Sequence, residues 1–217
     1  MVFPVRCIGC SAEGELLCEE CLGKVQLNAE QFCPVCWQPS LGGKVCARCE
    51  SPLAGLRVAA SYERNPELAK AVRTLKYKFS ENLAGRLAQI LSCSIQQKSY
   101  IGERVITPVP LHRKRERWRG FNQAELLATA VAEKLNLPLE HLLVRTKNTP
   151  QQAKLSKQER LKNLDDAFTL ISKVTVKNKT VILVDDIAST GSTLFECAKV
   201  LEKHGAKEVW GLVLARG

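Results

Sequence analysis

Residues Val181–Thr193 read VILVDDIASTGST, and the fold is decided by how this stretch is read. Val181–Val184 are all aliphatic, as a strand buried on both faces requires. Asp185 and Asp186 follow at the strand's carboxyl end, which is where an open α/β sheet binds its ligands. Ile187-Ala188-Ser189-Thr190-Gly191-Ser192-Thr193 is then a loop of mostly small residues that runs straight into a helix. Gly191 permits tight turning, so that neighbouring amide N–H groups can point inward. Ser189, Thr190, Ser192 and Thr193 add hydroxyl donors, and the helix N-terminus adds positive potential. Together they describe a phosphate cradle. Two carboxylates beside it cannot bind the phosphate, but they can accept hydrogen bonds from vicinal hydroxyls or orient a hydrated Mg2+. A ribose 5-phosphate satisfies both halves. An acidic strand end of the receiver or phosphatase kind would not require the S-T-G-S-T loop.

The rest of the chain alternates strands with helices. Leu56–Tyr62, Arg104–Pro108, Ala167–Ile171, Thr180–Val184 and Glu208–Leu214 read as strands. Asn65-Pro66-Glu67 opens a helix with a capping side chain, and a second covers about Asn82–Leu91. Asn122 caps a helix with Glu125 at its third position, Ser156-x-x-Glu159 is another capping box, and Ser192–His204 is a helix ended by Gly205. This order predicts an α/β fold, a mostly parallel sheet with flanking helices.

A different module precedes it. Eight of the ten cysteines form C-x-x-C pairs: Cys7/Cys10, Cys18/Cys21, Cys33/Cys36 and Cys46/Cys49. Two such pairs complete a tetrahedral metal site, so four pairs suit two structural Zn2+ ions. Disulfides fit poorly with a chain that shows no export signal at its start, and the same reading places the protein in the cytoplasm. Sequential pairing leaves seven residues between Cys10 and Cys18 and nine between Cys36 and Cys46. Interleaved pairing leaves longer loops and stays open. Few large apolar residues lie between the cysteines, so metal must supply most of this segment's stability. The expected division is residues 1–54 for the zinc module and 55–217 for the α/β domain. Cys197 shares a helical face with Leu194 and Leu201 and reads as a buried, inert thiol.

Charge divides the same way. Residues 1–56 carry four Lys/Arg against six Asp/Glu, whereas residues 57–217 carry 28 against 16, and the whole chain is +10. A basic body suits phosphate esters or nucleic acid. With 45% hydrophobic and 25% charged residues the chain is an ordinary globular one. No run approaches the roughly 18 apolar residues of a membrane span.

VILVDDIASTGST resembles the signature by which type I phosphoribosyltransferases bind 5-phosphoribosyl 1-pyrophosphate (PRPP). The resemblance implies that Asp185 and Asp186 bind the ribose hydroxyls, and that Ser189, Thr190, Gly191, Ser192 and Thr193 bind the 5-phosphate. Ala188 departs from the family's larger aliphatic residue without removing a ligand. The whole chain resembles the ComF/GntX family, which joins a double zinc ribbon to a phosphoribosyltransferase domain. The matching features are the four cysteine pairs, Leu75-Lys76-Tyr77, Pro108-Val109-Pro110-Leu111, Arg119-Gly120-Phe121-Asn122-Gln123, the Gln152…Leu155…Arg160…Asn163 stretch and VDDIASTGST. The resemblance implies PRPP with Mg2+ as ligand. It also implies a part in natural DNA uptake or DNA utilisation, with single-stranded DNA and uptake-machinery proteins as partners.

His112–Gly120, HRKRERWRG, is the most basic stretch. In related transferases the segment after this strand lies near the pyrophosphate. His112, Arg113, Arg115, Arg117 and Arg119 are therefore candidates for neutralising pyrophosphate, or for tracking a DNA backbone with Trp118 or Phe121 stacking on bases. A solvated basic loop with Trp118 packed on the domain is the plain alternative. Lys154 and Arg160 lie where such enzymes keep a mobile catalytic loop. No hood for a purine or pyrimidine is recognisable, so the readings of DNA-handling factor and active phosphoribosyltransferase both stand.

Overall fold

The computed structural model describes residues 4–95, 103–147 and 166–216. The Ser156 capping box, Lys154, Arg160 and the Gln152…Asn163 stretch lie outside them. In the described part, α1 (Glu19–Gly23) and a 3-10 turn (Leu41–Gly43) belong to the cysteine-rich segment. There follow β1 (Gly55–Ser61), α2 (Pro66–Tyr77), α3 (Glu81–Ile95), β2 (Arg104–Pro108), α4 (Arg113–Arg119) and α5 (Gln123–Leu135). After them come β3 (Leu143–Arg145), β4 (Phe168–Leu170), β5 (Thr180–Ala188), α6 (Ser192–Lys203) and β6 (Glu208–Arg216).

β1, β6, β5 and β2 form one parallel sheet in that order. β5 lies inside it, and its alternating side chains feed both faces. Ile182 and Val184 join Leu83, Leu87, Leu127 and Val131 of α3 and α5 in one core cluster. Val181 and Leu183 join Leu194, Cys197 and Leu201 of α6 in the other. Each such side chain stabilises the fold by about 1.5–3 kcal/mol when fully removed from water. This is the expected architecture, and Cys197 is buried as expected.

β2 is an edge strand, which explains why it tolerates Pro108. Val109 N–H donates inward to Val184 O at 2.9 Å, whereas Ile106 N–H donates outward to Pro138 O at 2.9 Å. Pro108 shares the outward parity of Ile106, so its missing donor leaves the β2–β5 ladder intact.

The other edge, β1, is covered by the cysteine-rich segment. Leu27 and Lys44 bridge antiparallel to Ala60 and Gly55, and Asn28 N–H donates to Ala59 O at 2.9 Å. The buried Gln31 amide completes the ladder: its Oε1 accepts from Val58 N–H at 3.0 Å and its Nε2 donates to Val58 O at 3.1 Å. A side chain here does the work of a neighbouring strand. Gly43 and Gly55 make this approach possible, because a Cβ on Gly43 would sit 2.0 Å from Leu56 O.

Several details differ from the sequence reading. Asn65 does not cap α2; its side chain donates to Gln26 O and Ser61 O and accepts from Gln26 N–H, tying the cysteine-rich segment to the end of β1. His112–Gly120 is not a loop. It contains α4, capped by the His112 ring, which accepts from Lys114 N–H, and ended by Gly120 at φ 84°. β5 continues to Ala188, four residues past the expected end, because its pairing with β6 carries on as far as Ala188↔Arg216. β3 was not foreseen; it pairs antiparallel with β4. Among the described residues no helix is long and apolar enough to cross a membrane.

Candidate sugar-phosphate site and metal centres

At the carboxyl end of β5 the two carboxylates fold back on their own backbone. Asp185 Oδ1 accepts from Asp186 N–H at 2.8 Å, and Asp186 Oδ1 accepts from Ile187 N–H at 2.9 Å. Asp186 is buried, and Lys76 Nζ of α2 lies 2.9 Å from its Oδ2. Burial and then the Asp186 charge push the Asp185 pKa well above the usual carboxylate range, while Lys76 pulls it back. Tyr62, just past β1, completes this wall. Burial and then the Asp186 carboxylate push its phenol pKa upward, and its buried hydroxyl has no hydrogen-bond partner among the described residues. It is a donor held ready beside the acidic pair.

The following turn has the geometry of an anion cradle. Gly191 adopts φ 76° as the residue before α6, and it supplies no side-chain cap to the helix N–H groups. A Cβ there would meet the Phe195 ring at 3.0 Å, so the turn depends on glycine twice over. Thr190 Oγ1 and Ser192 Oγ are 2.6 Å apart, and Ser192 N–H donates to Thr190 Oγ1 at 3.3 Å. A helix N-terminus at a glycine turn, with hydroxyls alongside, suits an anion.

α4 has two faces. Arg113, Lys114, Arg117 and Trp118 are exposed, Trp118 by 73%, so the expectation of a tryptophan packed on the domain does not hold. One turn apart on the inner side, Arg115 and Arg119 are half-buried. Arg119 donates to Gln123 Oε1 and lies 6.0 Å over the Tyr77 ring. Arg115 reaches the neighbourhood of Arg145, a buried residue of β3 whose guanidinium lies 5.4 Å over the Phe168 ring. Burial and then Arg115 lower the Arg145 pKa, and Asp185 raises it. Burial, and then Arg145, Lys114 and Arg115, lower the His112 pKa. His112, Arg115 and Arg145 therefore form a cluster of like charge, and Arg145 is its member whose charge acts on Asp185.

The sequence reading missed Lys76, Tyr62 and Arg145 as site residues. Lys76 was visible only as a letter within Leu75-Lys76-Tyr77 and Tyr62 only as the end of a strand, while nothing in the local sequence marked Arg145.

The cysteines gather sequentially, Cys7, Cys10, Cys18 and Cys21 in one cluster and Cys33, Cys36, Cys46 and Cys49 in the other. Within each, all Sγ atoms lie within 4.8 Å of one another. Cys10–Cys18 and Cys36–Cys46 are 3.6 and 3.7 Å apart. A tetrahedral zinc thiolate site with ~2.3 Å bonds has sulfurs ~3.8 Å apart, so both clusters fit Zn2+. Burial opposes ionisation of Cys7, but the N–H groups of Cys18, Cys10 and Gly9 outweigh it and bring its pKa down to about 6. Cys33 is likewise brought to about 6 against its burial, by the N–H groups of Cys36, Cys46 and Val35. In each cluster backbone N–H groups thus favour the ionised form of one thiol, the species a metal needs. The clusters differ in setting. Cys7 and Cys21 belong to the core cluster of the parallel sheet, with Cys10 exposed and Cys18 half-buried. In the second cluster Cys33 is buried but outside both apolar cores, Cys36 is exposed, and Cys46 and Cys49 are half-buried.

Comparison with known proteins finds two domain families in the chain. The double zinc ribbon domain family matches residues 1–50, and the phosphoribosyl transferase domain family matches residues 122–217. Competence protein F of Haemophilus influenzae is 32% identical over 98% of this chain and 98% of its own length. Competence protein ComFC of Bacillus subtilis is 30% identical over 93% of this chain and 85% of its own. The DNA utilization protein YhgH of Escherichia coli (strain K12) is 29% identical, covering 90% and 89%. With cysteine clusters, a parallel sheet and relatives that span nearly its whole length, the chain belongs to the ComF/GntX family of double-zinc-ribbon proteins with a phosphoribosyltransferase domain.

Proposed function

We propose that this protein serves natural DNA uptake or DNA utilisation, binding PRPP at the end of β5 and handling incoming single-stranded DNA on the outer face of α4. The observation that carries the reading is the acidic pair and glycine turn at the end of β5, with the buried Arg145 near enough for its charge to act on Asp185, beside a separate exposed basic face on α4. Asp185 and Asp186 would accept the ribose hydroxyls, and Ser189–Thr193 would hold the 5-phosphate. Arg115 and Arg145 would face the pyrophosphate, with Mg2+ accompanying it to neutralise its charge. The outward Arg113 and Arg117 would track a DNA backbone, and Trp118 would offer a stacking face. The relatives' names, competence and DNA utilization, support the cellular role.

The two faces of α4 separate the two activities in a test. Arg113→Ala with Arg117→Ala is expected to weaken binding of an oligo-dT strand. It should also reduce the slope of log K against log salt by about 1.4, at ~0.7 per lost phosphate contact. Trp118→Ala should weaken that binding further without altering the slope. PRPP affinity by calorimetry should be unchanged in these variants, whereas Arg115→Ala should reverse the pattern. Unaltered DNA titrations across salt would remove the DNA reading.

Lys76 has a distinct part in this reading, holding the buried Asp186 carboxylate in place through the 2.9 Å contact of its Nζ with Oδ2. Lys76→Met is expected to lower PRPP affinity about tenfold, the worth of one charge-assisted hydrogen bond, with Lys76→Arg restoring most of it. Equal affinity in the methionine variant would show that Lys76 is only a packing residue.

A second reading keeps the same site as an active phosphoribosyltransferase. Arg145, which lies close to both Arg115 and Asp185 in charge terms, favours it, because such cations would stabilise negative charge developing on departing pyrophosphate. Pyrophosphate release from PRPP and Mg2+, dependent on an added acceptor and lost in Arg115→Ala, would establish it.

A further inference from the structure

A groove of about 560 Å³ runs between α3 and α5, and it shares no residue with the acidic pair or the 189–193 turn. It exists because the facing residues are small. Ala84 and Gly85 of α3 oppose Thr129 and Ala130 of α5, and a Cβ on Gly85 would meet nothing within 4 Å. One end is closed by Phe79 and Phe121, stacked edge to face with centroids 5.6 Å apart, and Phe79 remains 58% exposed. An apolar floor with a solvent-facing aromatic end is the form of an anchor pocket.

The walls carry one sign of charge. Glu125 and Glu133 stand two turns apart on α5, with Glu81 on α3 and Glu116 on α4, and no Lys or Arg lines the groove. Among the described residues, Glu125 has a basic neighbour in His141, 3.6 Å away. This wall of carboxylates belongs to a chain of net charge +10. Nucleic acid and sugar phosphates are repelled from it, while a cationic polypeptide is attracted to it within a domain that is otherwise basic.

We infer that the α3–α5 groove is a docking site for a basic amphipathic helix of a partner protein. Its apolar residues seat on Ala84, Ala130 and the Phe79–Phe121 pair, and its Lys or Arg residues lie along Glu125 and Glu133 on one side and Glu81 on the other. This is helix-in-groove recognition, with specificity set by the carboxylate rails. The site stands apart from the PRPP reading and survives its failure.

The probe is a fluorescent amphipathic Leu/Lys peptide, titrated against the full-length zinc-loaded protein by anisotropy. Two variants test the groove: Glu125→Lys with Glu133→Lys reverses one rail, and Gly85→Trp fills the floor from an ordinary helical position. Both are expected to keep their circular dichroism and zinc content and to lose roughly tenfold or more in peptide affinity. A Leu/Glu peptide of the same length should not bind the native protein. Several results would overturn the proposal: no binding of the Leu/Lys peptide, equal binding by both variants, or equal binding of the acidic peptide. Displacement of the peptide by oligo-dT would also overturn it, as would native self-association that Gly85→Trp abolishes, which would assign the groove to a second copy.

Discussion

Asp185→Asn combined with Asp186→Asn is expected to abolish PRPP binding while leaving both zinc ions in place. The carboxylates would accept hydrogen bonds from the two ribose hydroxyls. A hydrogen bond to a charged group contributes about 1.5–3 kcal/mol, so losing both costs about 3–6 kcal/mol, a hundredfold or more in affinity. Calorimetry with PRPP and Mg2+, beside metal analysis of the same preparations, measures both quantities. Undiminished affinity would refute the site. The single variant Asp185→Asn carries a further signature. Burial and Asp186 raise the Asp185 pKa, so its ionised form opposes folding. That opposition is absent below the ordinary Asp range and grows as pH rises toward the folded value. Asp185→Asn should therefore raise Tm at neutral pH and not at strongly acid pH, even as affinity falls. Stability given up for a buried carboxylate is what a binding site looks like, whereas a structural acid would show the opposite sign.

The second large effect concerns the zinc clusters, which are chemically alike and differently placed. Cys21→Ser is expected to unfold the entire chain, whereas Cys49→Ser should release one zinc and leave the parallel sheet folded. Structural zinc contributes about 10–16 kcal/mol in zinc-finger peptides. A whole domain is stable by only about 5–15 kcal/mol. Losing much of the first figure is fatal wherever the ligands are part of the common core. Cys21 and Cys7 are part of it, packed in the same cluster as Leu68 and Leu87. Cys49 is half-buried in the second cluster, outside both apolar cores. Thermal unfolding with zinc stoichiometry distinguishes the two. Equal destabilisation by the two substitutions would show that the clusters are energetically equivalent.

What the sequence made legible was local. Val181–Val184 announces a buried strand because every residue is aliphatic, and Gly191 among hydroxyl residues announces a turn. The four C-x-x-C pairs announce zinc because thiols at that spacing reach one ion. What stayed hidden was set by distant partners. α4 has Trp118 as its one apolar side chain and shows no periodic face; the His112 cap and Gly120 define it instead. β3, three residues long, exists only because β4 lies against it. Asp185 looks like the end of a strand, yet β6 pairs with it and with Ile187 and Ala188 beyond. Lys76 is an ordinary helical lysine until α2 is packed against the sheet and its amine meets Asp186. The pairing of the cysteines, open from spacing alone, follows from which turns the chain can bring together.

Gln31 lends its amide to Val58 as a neighbouring strand would. The N-terminal ribbon is therefore not a portable attachment that evolution could trim without penalty. A descendant that shed its cysteines would present a bare row of backbone donors and acceptors along Gly55–Ser61, an invitation to polymerise. Such a lineage must first recruit another cover for that row, so ribbon and sheet are inherited together.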